Sequence, residues 1–378
     1  MYKRFLKIGK LLEMKSFFLF GPRATGKTTL IENTLPEAYV FDLLKAETYA
    51  RLLKKSEVID ETVIDASKVV VIDEIQKIPA LLDEVHRLIQ KRKLKFLLTG
   101  SSARKLKRGA ANLLAGRAWK AELFPLSYCE ISDFDLVKFL NRGGLPDAYL
   151  SEHYQEELAN YNALYLREEI KAEAMTRNVQ AFAEFLDLMA LSNGREINFE
   201  SFASDCQIST STLKNYVQIL EDTLIGFYLT AYTKTKKRKA IGRSKFYLFD
   251  VGVVNSLCHR GEISMGGELF GPAFEHFVVL ELRAYLSYTR SRRSMSYWRS
   301  TSQFEVDLIV DDICAIEIKS TKMVVDKHLK GLRAFKEEGL TKRYIIVSLD
   351  PERRKTPDGI EILPWKTFLS ELWRGAIV

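Results

Sequence analysis

The run Gly21-Pro22-Arg23-Ala24-Thr25-Gly26-Lys27-Thr28-Thr29 matches the phosphate-loop pattern G-x-x-x-x-G-K-[ST] at every fixed position. Such a loop works only between a buried strand and the first turn of a helix. Phe17-Phe18-Leu19-Phe20 supplies the strand, and the residues from Thr28 onward read as the helix. Gly21 and Gly26 are expected to let the backbone curl until successive N–H groups converge on phosphate, with the helix N-terminus adding its positive end. Lys27 would reach the terminal phosphates of ATP. The Thr28 hydroxyl would sit on Mg2+, an ion that keeps an octahedral oxygen shell. The alternative, a glycine-rich turn with a solvated lysine, is opposed by the flanking strand and helix.

Up to about Phe124 the chain alternates apolar runs with amphipathic stretches, the pattern of a parallel sheet covered on both faces. Tyr39-Val40-Phe41-Asp42-Leu43 is one short strand. Val69-Val70-Val71-Ile72-Asp73-Glu74 reads as a central strand ending in two carboxylates beside the phosphate loop. Asp73 would hold the magnesium through water, and Glu74 would polarise the attacking water. Lys95 to Ser102 forms another strand ending in hydroxyls, so Thr99, Ser101 and Ser102 are candidate phosphate sensors and equally good turn formers. Arg117 could stabilise transition-state charge in its own subunit or a neighbour's, with Arg104 and Arg108 as competitors and an ordinary salt bridge as the alternative.

These segments, G-P-R-x-T-G-K-T-T, V-V-V-I-D-E-I-Q-K-I-P, L-L-T-G-S-S-A-R-K-L, A-G-R and F-P-L-S-Y, resemble the prokaryotic AAA-type ATPases that carry a C-terminal domain of unknown function. The resemblance runs nearly the whole length. It implies an AAA/RecA-like P-loop core and points to Arg117, but it brings no substrate with it. No L-S-G-G-Q signature of a transport motor is present.

At 378 residues the chain exceeds one ordinary core, and two or three domains are expected. No apolar run is long enough to span a bilayer, and the N-terminus lacks a signal-peptide core, so a cytoplasmic location is expected. The cysteines Cys129, Cys206, Cys258 and Cys314 are widely spaced and read as reduced thiols. The net charge of +8 is clustered, which favours a polyanionic partner.

Residues 126–194 read as mostly helical, broken at Gly143-Gly144-Leu145-Pro146. Ser209 is a good N-cap for a helix over 210–223 whose apolar positions Leu213, Tyr216, Val217 and Leu220 share one face. Lys214, Asn215 and Gln218 then point outward. With strands over 227–232 and 245–249 this makes a winged helix. The connecting loop holds Lys234, Lys236, Lys237, Arg238, Lys239 and Arg243 without one acid, so it could follow a DNA backbone. Winged helices in ATPases also serve as protein contacts or lids, and that alternative stays open.

In the last third, a helix over 272–282 precedes strands over 304–310 and 313–319 that turn at Asp311-Asp312. Period two puts Glu305 with Asp307, and Glu317 with Lys319, on one face. D-x(n)-E-x-K with a glutamate on the preceding helix resembles the PD-(D/E)XK fold of restriction enzymes and junction resolvases. The resemblance implies Asp307 and Glu317 as ligands of a second divalent metal, Glu275 completing the shell, and Lys319 activating water. Val306 replaces the family's proline, and an inert binding module that never cleaves is the alternative.

The expected architecture is α/β: an AAA-type P-loop ATPase over 1–140, a helical segment over 141–195, a winged helix over 196–262 and a restriction-endonuclease-like domain over 263–378. Expected function is Mg2+-dependent ATP hydrolysis coupled to a DNA-directed activity. A conformational switch acting on protein or DNA is the rival, and a homo-oligomer is compatible with both. A P-loop kinase is the poorer third reading, because Asp73-Glu74 suits water as the nucleophile.

Overall fold

Phe17 and Leu19 face one side of strand β1 (Ser16–Phe20), Phe18 and Phe20 face the other, and both sides are buried. A strand apolar on two faces belongs inside a covered parallel sheet. The computed structural model describes residues 2–102, 116–166 and 179–378. In it β1 is joined by β2 (Tyr39–Asp42), β3 (Val70–Asp73), β4 (Phe96–Gly100) and β5 (Ala118–Glu122). Among the described residues this sheet has five strands in the order β2-β3-β4-β1-β5, with every pairing parallel. Inserting β4 between β1 and β3 brings Thr99 and Gly100 to the edge between the phosphate loop and Asp73.

Beyond this sheet come short helices, Leu136–Arg142, Pro146–Leu150 and Tyr154–Asn160. The turn between the first two is locked from afar, since Gly144 N–H donates to Asp250 Oδ2 at 2.7 Å. Helix Val179–Leu191 leads into β6 (Arg195–Glu196), helices Phe199–Asp205 and Thr210–Asp222, and strands β7 (Gly226–Ala231) and β8 (Lys245–Leu248). Ser209 starts the second of those helices by accepting a hydrogen bond from Thr212 N–H at 3.1 Å. Strand β8 runs antiparallel to both β6 and β7.

A long helix, Phe270–Tyr288, then precedes an antiparallel meander of β9 (Met295–Arg299), β10 (Glu305–Val310) and β11 (Cys314–Lys319). After helix Lys330–Lys336 the chain forms β12 (Arg343–Ser348), which is parallel to β11, and finishes with β13 (Arg354–Lys355), β14 (Glu361–Pro364) and helix Trp365–Trp373. Strand β7 pairs with β9 through Thr230 with Ser296 and Ala231 with Tyr297. Residues 196–262 and 263–378 therefore contribute to one nine-stranded sheet among the described residues. Two residue pairs of β7 and β9 form this seam, and an isolated bridge between Ala240 and Ser300 extends it.

Packing ties the front of the chain to the back. Phe17 and Leu19 of β1 share one apolar cluster with Phe274, Phe277 and Val278 of the long helix. Leu224, held at φ 61 after helix Thr210–Asp222, packs instead with Phe18 and Leu98 on the other face of the first sheet.

Candidate nucleotide site and a second carboxylate cluster

The phosphate loop departs from its simplest expectation at Gly21. Gly26 does take the left-handed conformation, with φ 85, but the second left-handed residue is Ala24 at φ 58. Gly21 is needed for closeness: a Cβ there would lie 2.5 Å from the Leu123 carbonyl oxygen at the end of β5. Lys27 opens helix Lys27–Thr34, and its Nζ donates to the Gly21 and Pro22 carbonyls at 2.7 and 2.9 Å. Thr25 Oγ1 closes the loop by donating to Pro22 O at 2.9 Å.

Across a cleft of about 430 Å³ lie Asp73 and Glu74, with Arg23, Thr28, Thr29, Leu44, Pro146 and Asp147 completing the lining. Thr28 and Thr29 are exposed to it. Glu74 sits in the left-handed region at φ 59, a conformation that costs a non-glycine residue about 1–3 kcal/mol and gathers at functional sites. Its neighbours hold it there. Glu74 N–H donates to Thr99 Oγ1 at 3.2 Å, and the Gln76 amide donates to the Glu74 carboxylate and, at 3.3 Å, to Ser101 Oγ. Thr99 in turn donates to Asp73. The hydroxyls Thr99 and Ser101, expected as phosphate sensors or turn formers, thus brace the two acids. Ser102 Oγ donates to the Asp222 carbonyl at 3.3 Å, at the end of helix Thr210–Asp222.

Arg117 lies elsewhere. Strand β5 begins at Ala118, which pairs with Ser16, while the loop follows Phe20. At about 3.3 Å per residue, Arg117 is roughly 15 Å from the loop along the sheet. Arg117 therefore stands away from its own cleft in this structure, and of the catalytic options a neighbouring subunit's cleft is the one that fits this position. Arg104 and Arg108 lie outside the described residues.

Sequence reasoning missed Arg4. Its buried guanidinium donates to Thr25 O at 2.6 Å, Phe124 O at 2.5 Å, Glu130 Oε1 at 3.0 Å and Tyr288 Oη at 3.3 Å. Burial works against its charge, yet Tyr288 and Glu130 hold its pKa above the ordinary arginine value. One side chain so joins the phosphate loop to the C-terminal end of helix Phe270–Tyr288. A lone arginine near an N-terminus carries no signal of this. Asp147 was likewise invisible, because it reaches the cleft from a helix more than seventy residues after Glu74.

In the basic loop after β7, the N–H groups of Lys236, Lys237 and Arg238 converge on Glu338 at 2.8 to 2.9 Å. Arg238 also donates to Ala334 O at 2.9 Å and Glu337 Oε2 at 2.7 Å. It is therefore spent within the fold, whereas Lys236, Lys237 and Lys239 are exposed. Lys214, Asn215 and Gln218 are exposed on helix Thr210–Asp222, opposite its buried Leu213, Tyr216 and Val217.

The second cluster gathers Glu275, Glu305, Asp307, Glu317 and Lys319, and it differs from the expected metal shell. Among the described residues no group of three His, Cys, Asp or Glu side chains is arranged to hold a metal ion. Glu275 is already engaged: Tyr247 Oη donates to its Oε1 at 2.7 Å and Lys245 Nζ stands 3.5 Å away. Asp307 Oδ2 accepts from Ile318 N–H at 2.7 Å, and Lys319 Nζ lies 2.5 Å from Glu317 Oε1. Glu317 Oε2 is buried without a hydrogen-bond partner. Burial, and then the charge of Glu275, push the Asp307 carboxyl up to about 6. Burial and the nearby Asp307 raise Glu317 well above the ordinary carboxylate range.

A family model described as an AAA domain matches residues 13–132. Two described as domains of unknown function, DUF8612 and DUF4143, match residues 133–264 and 270–368. The uncharacterized protein Rv2008c of Mycobacterium tuberculosis is 25% identical over 304 residues, covering 78% of this chain and 67% of that protein. The uncharacterized protein MJ1637 of Methanocaldococcus jannaschii is 26% identical over 432 residues, covering 96% of this chain and 87% of that protein. A solved STAND protein with a tetratricopeptide repeat sensor, from Pyrococcus horikoshii, aligns at 14% identity and a TM-score of 0.24 over 76% of this chain. The present chain spans about half, 48%, of that protein's length. Among the described residues no helix is long and apolar enough to cross a membrane. The phosphate loop, the acids at the end of β3 and the matched AAA domain model together make residues 13–132 similar to the P-loop core of AAA-type ATPases.

Proposed function

We propose that this protein hydrolyses ATP with magnesium and uses its nucleotide state to act on DNA through the winged-helix segment. The observation that carries the first part is the convergence of Lys27, Thr28, Asp73 and Glu74 on one cleft. Magnesium, when bound, neutralises phosphate charge, and Thr28 and Asp73 are the side chains suited to hold it. Lys27 leaves its two carbonyl partners to meet the terminal phosphates. Glu74, braced by Gln76 and Thr99, orients the attacking water and draws its proton. Lys27→Ala is expected to lower ATP turnover at least about 100-fold by removing that phosphate contact. Release of phosphate at the wild-type rate would end the hydrolysis reading.

Two contacts support the second part. Ser102 joins the strand beside the cleft to helix Thr210–Asp222, and Glu338 fixes the basic loop so that Lys236 and Lys237 face solvent. Lys236→Glu combined with Lys237→Glu is expected to weaken duplex binding and reduce the log–log salt slope by about 2, near 0.9 for each lost phosphate contact. Arg238 stays unaltered in this variant because its loss would unfasten the loop. Titration of labelled duplex at several salt concentrations checks this. Unchanged affinity and slope would refute DNA contact by the loop.

Over residues 270–348 a helix is followed by the expected hairpin of β10 and β11, with the unexpected strand β9 before it and a helix and the parallel strand β12 after it. That order supports a second reading, in which this part is a nuclease-like module that engages DNA. Asp307 and Glu317 would be its metal ligands, with Lys319 beside them.

A further inference from the structure

Lys245 was not among the residues expected in the carboxylate cluster, and its position is the most unusual feature there. All four acids come from the long helix, β10 or β11, whereas Lys245 comes from β8 at the end of the basic loop. Its side chain is 7% exposed, passes the Tyr297 ring at 5.0 Å, and ends 2.6 Å from Glu305 Oε1 and 3.5 Å from Glu275 Oε1. An ammonium ion is seldom buried without compensating charge. Here burial would lower its pKa, but Glu275, Asp307 and Glu305 together raise it well above the ordinary lysine range. Lys245 thus places an ammonium group between two acids inside the cluster.

The residues fit a divalent ion only in part. The orphaned Glu317 Oε2 and the adjacent Asp307 could serve as ligands, but Glu275, the third carboxylate of the expected shell, faces Tyr247 and Lys245 instead. We propose that Lys245 is an internal competitor for divalent metal, a cation fixed to the backbone that withholds Glu275 and keeps this cluster in a weakly metal-binding state. The competition is electrostatic and steric. A dication near Asp307 and Glu275 would meet an ammonium that β8, paired on both edges with β6 and β7, prevents from drifting away. The metal affinity of the C-terminal region is on this account set by a residue of the winged-helix segment.

The test is Mn2+ binding to the nucleotide-free full-length protein, read by the loss of the free-ion electron paramagnetic resonance signal. Lys245→Met is expected to bind one Mn2+ at least about tenfold more tightly than wild type, Lys245→Arg to match wild type, and Lys245→Met with Asp307→Asn to lose the gain. If Lys245→Met does not fold, Lys245→Gln keeps an N–H donor for Glu275 while removing the charge, and is expected to show the same gain. Equal Mn2+ affinity in wild type and a folded charge-free variant would overturn the proposal, as would weaker binding in that variant. ATP hydrolysis by each variant, at a cleft remote in sequence from β8, reports whether the chain is folded.

Discussion

Glu74→Gln is expected to reduce kcat for ATP hydrolysis by about 10²- to 10⁴-fold, the range supplied by a positioned general base, while nucleotide affinity stays close to wild type. The two effects separate because different atoms serve them. On the proposed reading phosphate meets the loop N–H groups, Lys27 and the helix N-terminus, none of which depends on the Glu74 carboxylate. That carboxylate instead accepts from Gln76, while its backbone N–H donates to Thr99. A glutamine keeps the size of the side chain but cannot accept the water's proton. Single-turnover phosphate release together with fluorescent-nucleotide titration resolves the two terms. A variant that loses affinity and turnover in equal measure would show that Glu74 shapes the cleft and does not act on water.

Arg4→Ala is expected to cost about 3–5 kcal/mol of stability, the usual result of leaving one partner of a buried ion pair uncompensated. The Glu130 side chain is fully buried and loses its guanidinium, and the carbonyls of Thr25 and Phe124 lose a charged donor. Nucleotide affinity is expected to fall as well, because Thr25 belongs to the phosphate loop. Arg4→Lys should recover only part of the loss, since an ammonium cannot reproduce the planar fork that reaches Glu130, Tyr288 and the carbonyls of Thr25, Phe124 and Pro125. Denaturant unfolding measures the cost. Arg4→Met paired with Glu130→Leu should be less damaging than Arg4→Ala if the stranded charge is the cause. A midpoint for Arg4→Ala indistinguishable from wild type would remove Arg4 from any structural role.

Both predictions concern a region that was only partly legible beforehand. Lys27, Thr28, Asp73 and Glu74 follow from local patterns, since a loop between strand and helix and an apolar strand ending in two acids are each complete within about ten residues. The braces around them are not local. Thr99 reaches Asp73 and Glu74 only because β4 inserts between β1 and β3, and a sheet order of this kind is invisible in hydrophobic periodicity. Arg117 shows the opposite case, a residue placed near the chemistry by motif and moved to the far end of the sheet by strand direction.

The C-terminal acids divide along the same line. Alternation in β10 and β11 put Asp307 and Glu317 on strands of one hairpin, and the register pairing Leu308 with Ile316 sets them side by side. The fate of Glu275 depended on Tyr247 and Lys245, which arrive from a strand more than twenty residues earlier. Periodicity and short motifs therefore established the phosphate loop, the paired acids, the faces of the helices and the hairpin, because each is governed by contacts between near neighbours. Which cation neutralises which carboxylate, and which arginine anchors the loop, depended on folding. Burial makes an unpaired charge costly, and the partner that relieves that cost is whichever side chain the topology delivers.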